Sequence, residues 1–196
     1  MLQSLSKKYD LSRTDYVCTC RSMYNKKVSV SSYSAGETNR YIITGVWEIP
    51  LSRGILVFIG KNPSKAGCVV NGKFHKSDKT FTIMVKIAIA NNYSGIICLN
   101  MSSFISTTYD VKTIENIRHI NLNKDIIKTI LGERLDVYCY WGGLPGVLKK
   151  IMLSFVVNEL RLLNLKLYCS IVNKDNIPRH IGRETYYDGK LSVFTV

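Results

Sequence analysis

Short apolar runs, separated by polar and glycine-rich breaks, dominate the middle of the chain. Residues 55–59 are apolar without interruption, which is typical of a strand buried on both faces in the centre of a parallel sheet. The runs at 96–99, 135–141 and 165–172 have the same character, and residues 41–47 are rich in β-branched and aromatic residues. The pattern therefore predicts five strands, four of them deeply buried.

Helical periodicity lies between these runs. Residues 80–91 place Ile83, Ile87 and Ala90 on one face, and residues 124–131 and 145–163 have similar patterns. We expect Asn123 to cap the second of these helices. Alternating strands and helices predict a parallel sheet with helices on both faces.

The connections are long. Residues 1–40 are polar with weak periodicity and predict an irregular N-terminal extension packed on a single α/β domain of residues 41–196. The connections 61–79 and 101–122 are of a length that is commonly functional. The first of them carries five lysines and one acid, Asp78.

Charge gives the first indication of a partner. The 196 residues include 27 Lys and Arg against 14 Asp and Glu, for a formal net charge of +13. Such an excess favours a polyanion, and DNA is the partner we expect. Because no apolar stretch reaches the roughly 18 residues of a membrane span, and the first residues lack the core of a signal peptide, we expect a cytoplasmic monomer that binds no membrane.

Motifs for common cofactors and nucleophiles are missing from the sequence. The six cysteines form no C-x-x-C pair, and the histidines at 75, 119 and 180 lack metal-ligand spacing. There is no phosphate loop, dinucleotide fingerprint or G-x-S-x-G. We therefore expect reduced thiols and neither metal nor cofactor.

Polar breaks follow the four buried runs. They are Gly60-Lys61-Asn62-Pro63-Ser64, Asn100, Trp141-Gly142 and the stretch that contains Pro178-Arg179-His180. The carboxyl ends of parallel strands meet at one edge, which is where open α/β sheets bind ligands. The sequence therefore predicts that the four breaks line one cleft.

In their chain order these breaks resemble those of the uracil-DNA-glycosylase superfamily. Residues 60–64 resemble the Gly-x-Asn-Pro water-positioning loop of its mismatch-specific branch. Residues 95–100 resemble its strand ending in Leu-Asn, and residues 137–142 its strand ending in Trp-Gly. The chain is also similar to an uncharacterised bacterial and phage family with the motifs N-P-S, D-x-T, W-G and P-R-H, here at 62–64, 78–80, 141–142 and 178–180.

The resemblance implies a fold and a reaction. The fold is a three-layer α/β/α sandwich around a short, mainly parallel sheet. The reaction is hydrolysis of the N-glycosidic bond of a flipped-out nucleotide by a monofunctional DNA glycosylase, which needs a basic face and a pocket for one base.

The resemblance also implies roles for individual residues. The catalytic group comprises Asn62, which positions water, His180, which donates to the departing base, and Asp78. The base-binding group comprises Asn100, Pro63, Ser64 and Phe81, with Tyr109 as an alternative to Phe81. The DNA-backbone group comprises Lys61, Lys65, Arg179 and Arg183. Each has a structural alternative: Asn62 capping its own turn, Asp78 capping a helix, Phe81 in the core, and solvated charges.

The substrate and the activity class remain open at this level. Asn62 stands where the uracil branch has Asp, and Arg179-His180-Ile181-Gly182-Arg183 stands where that branch has His-Pro-Ser, so a base other than uracil is favoured. A modified base, such as the glucosylated or hydroxymethylated cytosines of phage DNA, would fit a role in anti-phage defence. The alternatives are a non-catalytic nucleic-acid or nucleotide-binding module of the same fold and a hydrolase of free nucleosides or nucleotides.

Overall fold

An eight-stranded mixed sheet forms the centre of the protein. The computed structural model describes residues 1–20, 26–50, 52–70, 72–105, 117–144, 146, 149–183 and 191–196. In these residues the sheet has the order β1-β2-β3-β7-β4-β8-β9-β10, and β5 and β6 form a separate hairpin.

The strands are Ser12–Cys20 (β1), Lys26–Ala35 (β2), Asn39–Val46 (β3), Ile55–Gly60 (β4), Cys68–Val70 (β5), Lys73–His75 (β6), Gly95–Asn100 (β7), Asp136–Cys139 (β8), Leu167–Cys169 (β9) and Ser192–Val193 (β10). The α-helices are Leu2–Lys8 (α1), Lys79–Ala90 (α2), Ile117–Leu131 (α3) and Ser154–Leu162 (α4). A π-helical turn, Lys149–Leu153, precedes α4, and a 3-10 turn spans Ile181–Arg183.

The α/β class with helices on both sides of the sheet is confirmed, but the prediction of a short, mainly parallel sheet is wrong. β4 is parallel to β7 and β8, and β8 is parallel to β9. The pairings β1/β2, β2/β3, β3/β7 and β9/β10 are antiparallel. The run at 41–47 belongs to an antiparallel strand, because it follows β2 through a tight turn instead of a crossover helix.

The described part of residues 1–40 is not irregular, contrary to expectation, since it contains α1, β1, β2 and the start of β3. Buried and more exposed residues alternate along much of β2, but the alternation of apolar and polar residues is weak in the sequence, because one of the buried residues is a serine, Ser32. On the other face, the Ser31 hydroxyl donates to the Asp15 carboxylate across the strand pair, at 2.5 Å. Serines on both faces of β2 hide the period-2 signal from composition alone.

Two hydrophobic clusters cover the two faces of the sheet. Val57 and Ile59 face the cluster that includes residues of α1, α3 and α4. Leu56 and Phe58 face the cluster that includes α2. β4 is thus buried on both faces, which confirms the prediction made from its uninterrupted apolar run.

The start of α3 differs from the prediction. Asn123 lies inside this helix and does not cap it; its side-chain amide donates to the carbonyls of Asn100 (2.8 Å) and Met101 (3.1 Å). Asn123 therefore ties α3 to the carboxyl end of β7. None of the described helices is long and apolar enough to cross a membrane.

Candidate active-site pocket

A pocket of about 350 Å³ opens beside the carboxyl end of β4. Its size lies within the range of roughly 300–1,000 Å³ that is usual for small-ligand sites. It is lined by Asn62, Pro63, Ser64, Lys65, His75, Asp78, Lys79, Thr80, Tyr140 and His180. The structure therefore brings together residues 62–80, Tyr140 and His180. Two of the four predicted strand-end breaks line the pocket, at 62–64 and at His180, whereas Asn100 and Trp141-Gly142 do not.

Gly60 is the last residue of β4, and the ring of Tyr140 leaves no room there for a side chain. A Cβ atom at this position would lie 2.4 Å from the Tyr140 ring and 2.5 Å from its hydroxyl oxygen. Tyr140 follows β8, and its backbone N–H donates to the Ile59 carbonyl at 2.9 Å. The absent side chain lets the ring lie directly over the strand end that leads to Asn62.

A buried arginine holds the loop that carries Asn62. Arg40 is 2% exposed, and its guanidinium donates to the carbonyl of Ser64 at 3.1 Å and to that of Ala66. It also contacts the Cys68 sulfur at 3.7 Å. Both carbonyls are held by the same terminal nitrogen, Nη1, whose two N–H groups point in different directions. Arg40 is therefore a positioning residue beneath the pocket wall.

Asp78 caps α2 and also fixes the opposite loop. One carboxylate oxygen accepts from the Phe81 N–H at 2.9 Å, and the other accepts from the Ala66 N–H at 3.0 Å. This is the structural role anticipated as one alternative for Asp78. The side chain still lines the pocket, so its carboxylate contributes negative charge there.

His180 reaches the pocket from the segment after β9. Arg179 donates its backbone N–H to the Ile171 carbonyl, and Gly142 donates its own to the Pro178 carbonyl, both at 2.9 Å. The Gly182 N–H donates to His180 Nδ1 at 3.1 Å. Since Nδ1 accepts, a neutral ring carries its proton on Nε2. Gly142 has a positive φ of 63° and lies against His180.

Asn62 itself is half-buried, and its side-chain amide donates to the Pro63 carbonyl at 3.3 Å. This contact belongs to its own turn, which is the structural alternative anticipated for Asn62. The residue nevertheless lines the pocket together with Pro63 and Ser64. Its carboxamide oxygen can therefore serve as an acceptor for a water molecule in the pocket.

Asn100 and Phe81 are placed differently from expectation. Asn100 pairs in register with Gly60 but is 2% exposed and is not among the residues that line the pocket. Its amide oxygen is buried without a hydrogen-bond partner among the described residues. Phe81 is fully buried on the inner face of α2, so a role in stacking on a base is wrong. Tyr109 lies outside the described residues.

The four cationic residues predicted to contact DNA differ in their position relative to the pocket. Lys65 lines the pocket, whereas Lys61 and Arg179 do not. Lys61 is half-buried and its carbonyl accepts from the Ser102 N–H at 2.9 Å, while Arg179 is exposed beside His180. Arg183 ends the 3-10 turn, and its side chain lies outside what is described.

The comparison with protein families is decisive for membership. The family described as "Protein of unknown function (DUF1643)" matches residues 40–180, which is most of the chain. The chain belongs to the DUF1643 family. The matched segment begins at Arg40 and ends at His180, so it includes the loop anchor and every residue that lines the pocket.

Other comparisons add little to the family match. No curated protein matches the chain. Among solved structures, it is similar to an acetyl xylan esterase from Paenibacillus sp. R4, at 10% identity and a TM-score of 0.36. The match covers 78% of this chain and 52% of that protein, so the chain spans about half its length. A structural similarity this low gives no information about the site.

Four pocket residues of this DUF1643 member were not predicted as site residues from the sequence: His75, Lys79, Thr80 and Tyr140. His75 is the last residue of β6 and pairs with Cys68 at the open end of the β5–β6 hairpin, which lies inside the connection predicted as a loop. Tyr140 belongs to an apolar run, so the sequence predicts that it lies in the core. The signal that could have found it is its position one residue beyond β8, beside a glycine that ends the neighbouring strand.

The pocket is electropositive in balance. Two lysines, Lys65 and Lys79, line it against the single carboxylate of Asp78. In the described part of the chain, no group of three or more His, Cys, Asp or Glu side chains is arranged to hold a metal ion. Five of the described cysteines are buried. Burial raises the pKa of the Cys98 thiol to about 12, so this thiol is not a nucleophile near neutral pH.

Proposed function

We propose that this protein is a DNA N-glycosylase that excises a flipped-out base from its pocket. The observation that carries the proposal is the convergence of Asn62, Asp78 and His180 on one pocket of single-ligand size. The net charge of +13 supports a polyanionic substrate. The ordered motifs that resemble the uracil-DNA-glycosylase superfamily support the reaction class.

The reaction is a hydrolysis that needs only water as co-reactant. The water oxygen forms a bond to C1′ of the deoxyribose while the C1′–N bond breaks and its electron pair moves to the base. The water proton is released and the base is finally protonated, which leaves an abasic site. The protein must therefore position water on one side and stabilise negative charge on the other.

The pocket residues suit these two tasks. Asn62 accepts from the attacking water through its carboxamide oxygen, at the end of a loop that Arg40 holds. His180, with its Nδ1 occupied by the Gly182 N–H, donates from Nε2 to the departing base. Lys65, on the rim, contacts a flanking phosphate. The substrate we propose is a modified cytosine in phage DNA, which would make the protein an anti-phage enzyme.

The test is mass spectrometry of the bases that the protein releases from DNA. The panel contains duplexes with uracil, mismatches, 5-hydroxymethylcytosine and glucosylated hydroxymethylcytosine. Asn62→Ala should lower the release rate by about 10²-fold or more. Asn158→Ala, at an exposed asparagine of α4 outside the pocket, is the matched control and should match the wild type.

The same panel separates the alternatives. Salt-sensitive DNA binding without release of any base would favour a binding module. Competition by mononucleotides as effective as that by DNA would favour a hydrolase of free nucleotides. Release by Asn62→Ala at the wild-type rate would refute the role given to Asn62, even if the enzyme is a glycosylase.

A further inference from the structure

Two tyrosines lie side by side on the same face of the sheet and differ in what their hydroxyls do. Tyr138 and Tyr140 are fully or almost fully buried, at 0% and 3% exposed, and both rings lie near Phe58. The Tyr138 hydroxyl hydrogen-bonds to the Ser170 hydroxyl. The Tyr140 hydroxyl has no hydrogen-bond partner among the described residues, and Tyr140 lines the pocket.

The Tyr140 hydroxyl oxygen is not among the buried atoms of the described residues that lack a partner, so this end of the ring is open to the pocket. Phenylalanine would pack as well as the Tyr140 ring but would present no hydrogen-bond donor to the pocket. The hydroxyl lies over the Cα of Gly60, at the strand end from which the Asn62 loop begins. It therefore points to a partner that enters the pocket with a ligand.

The ionisation state of Tyr140 makes it a donor. Burial raises the pKa of its hydroxyl well above the usual value, so the group stays protonated at neutral pH. The ring of His180 lies in edge contact, with 5.5 Å between the ring centroids. A protonated phenol and an imidazole thus lie next to each other on one pocket wall.

We propose that the Tyr140 hydroxyl donates a hydrogen bond to an acceptor atom of the base in the pocket and strengthens that bond as the base departs. The inference rests on the proposed function and deepens it. When the C1′–N bond breaks, its electron pair moves to the base, and an acceptor on the base gains negative charge. A donor fixed in a buried site stabilises that charge without having to reorganise.

This role defines the class of base that the site favours. The base must present an oxygen or an unprotonated ring nitrogen toward β4, and its acceptor must become more basic as the bond breaks. Since the interaction is stronger in the transition state than in the bound substrate, removing it should lower kcat more than it raises KM. If Tyr140 had a purely structural role, its substitution would not lower kcat more than it raises KM.

The experiment compares Tyr140→Phe with Tyr138→Phe. Each variant removes one oxygen from a buried ring on the same face of the sheet. Tyr140→Phe should lower kcat for base release by about 10²-fold and raise KM only several-fold, with a melting temperature close to that of the wild type. Tyr138→Phe should leave kcat and KM unchanged and lower the melting temperature by about 2–4 °C.

A second measurement tests the contact independently of chemistry. The probe is a duplex that carries 2′-fluoro-5-hydroxymethyldeoxycytidine, whose glycosidic bond resists cleavage. Tyr140→Phe should bind it several-fold more weakly than Tyr138→Phe does. If wild-type protein releases no base but this binding difference appears, the glycosylase proposal fails and the Tyr140 contact stands.

Other outcomes overturn the inference. If wild-type protein releases a base and Tyr140→Phe does so with the same kcat, the inference is wrong while the proposed function stands. Equal binding of the probe by both variants likewise argues against the contact. If the wild type neither releases a base nor binds the probe, both proposals fail.

Discussion

Replacing Gly60 by alanine tests the geometry on which the pocket depends. The new Cβ would lie 2.4 Å from the Tyr140 ring, whereas carbon atoms in contact are normally about 3.5–4.0 Å apart. The ring or the strand end must therefore move by about 1 Å. Tyr140 has little room, because it is 3% exposed and lies between Phe58 and His180.

The magnitude follows from this overlap. Forcing an extra carbon into a well-packed site costs roughly 1–3 kcal/mol of the free energy of unfolding. For a chain of this size, each kcal/mol lowers the melting temperature by about 2–4 °C. A displacement of about 1 Å at a reacting site costs on the order of 10²-fold in rate. Gly60→Ala should therefore lose both stability and base release.

The assays are urea unfolding and single-turnover base release, with Gly143→Ala as the control. A Cβ at Gly143 would have no described atom within 4 Å, so this variant should resemble the wild type. Tyr140→Ala removes the ring, and in that background Gly60→Ala should cost much less than alone. The reasoning is refuted if Gly60→Ala is as stable as the wild type, or if its cost is the same in both backgrounds.

Three further predictions concern the loop anchor, the helix cap and a buried thiol. Arg40→Lys keeps the charge, but its ammonium nitrogen falls one bond short of the Nη1 position that holds the Ser64 and Ala66 carbonyls, so base release should fall by up to about 10²-fold with an unchanged circular dichroism spectrum; a wild-type rate would contradict the anchoring role. Asp78→Ala should lower the free energy of unfolding by about 0.5–2 kcal/mol, because it removes the cap of α2. Asp78→Asn should lower it by less, since asparagine also caps helices. Equal stability of the two variants in urea would count against the capping role. In the folded protein the pKa of Cys98 is raised to about 12 from an ordinary value of 9.0, so its contribution to stability is present below pH 9 and is lost as the pH rises toward 12. Cys98→Ala should reduce this loss of unfolding free energy with pH by up to about 1.4 kcal/mol per pH unit. The measurement is urea unfolding at several alkaline pH values. An unchanged slope would show that the thiol ionises equally in the folded and unfolded states.

Local sequence determined the parts of the fold that depend on burial along a single segment. The apolar run at 55–59 predicted β4, and the helical period from residue 80 predicted α2, because each buries residues in a pattern that needs no knowledge of its neighbours. The cleft at the strand ends was also predictable, since parallel strands share one carboxyl edge. Asn62, Asp78 and His180 do meet there.

Only the tertiary structure decided which side chains the pocket presents. Phe81 and Tyr140 are both aromatic residues near polar breaks, yet one lies in the core and the other lines the pocket. The difference arises from strand register, which places Tyr140 over Gly60, and from the side of α2 that faces the sheet. The same limit applies to Arg40, whose partners lie at least 24 residues away. Long-range pairing creates these contacts, and no local pattern encodes them.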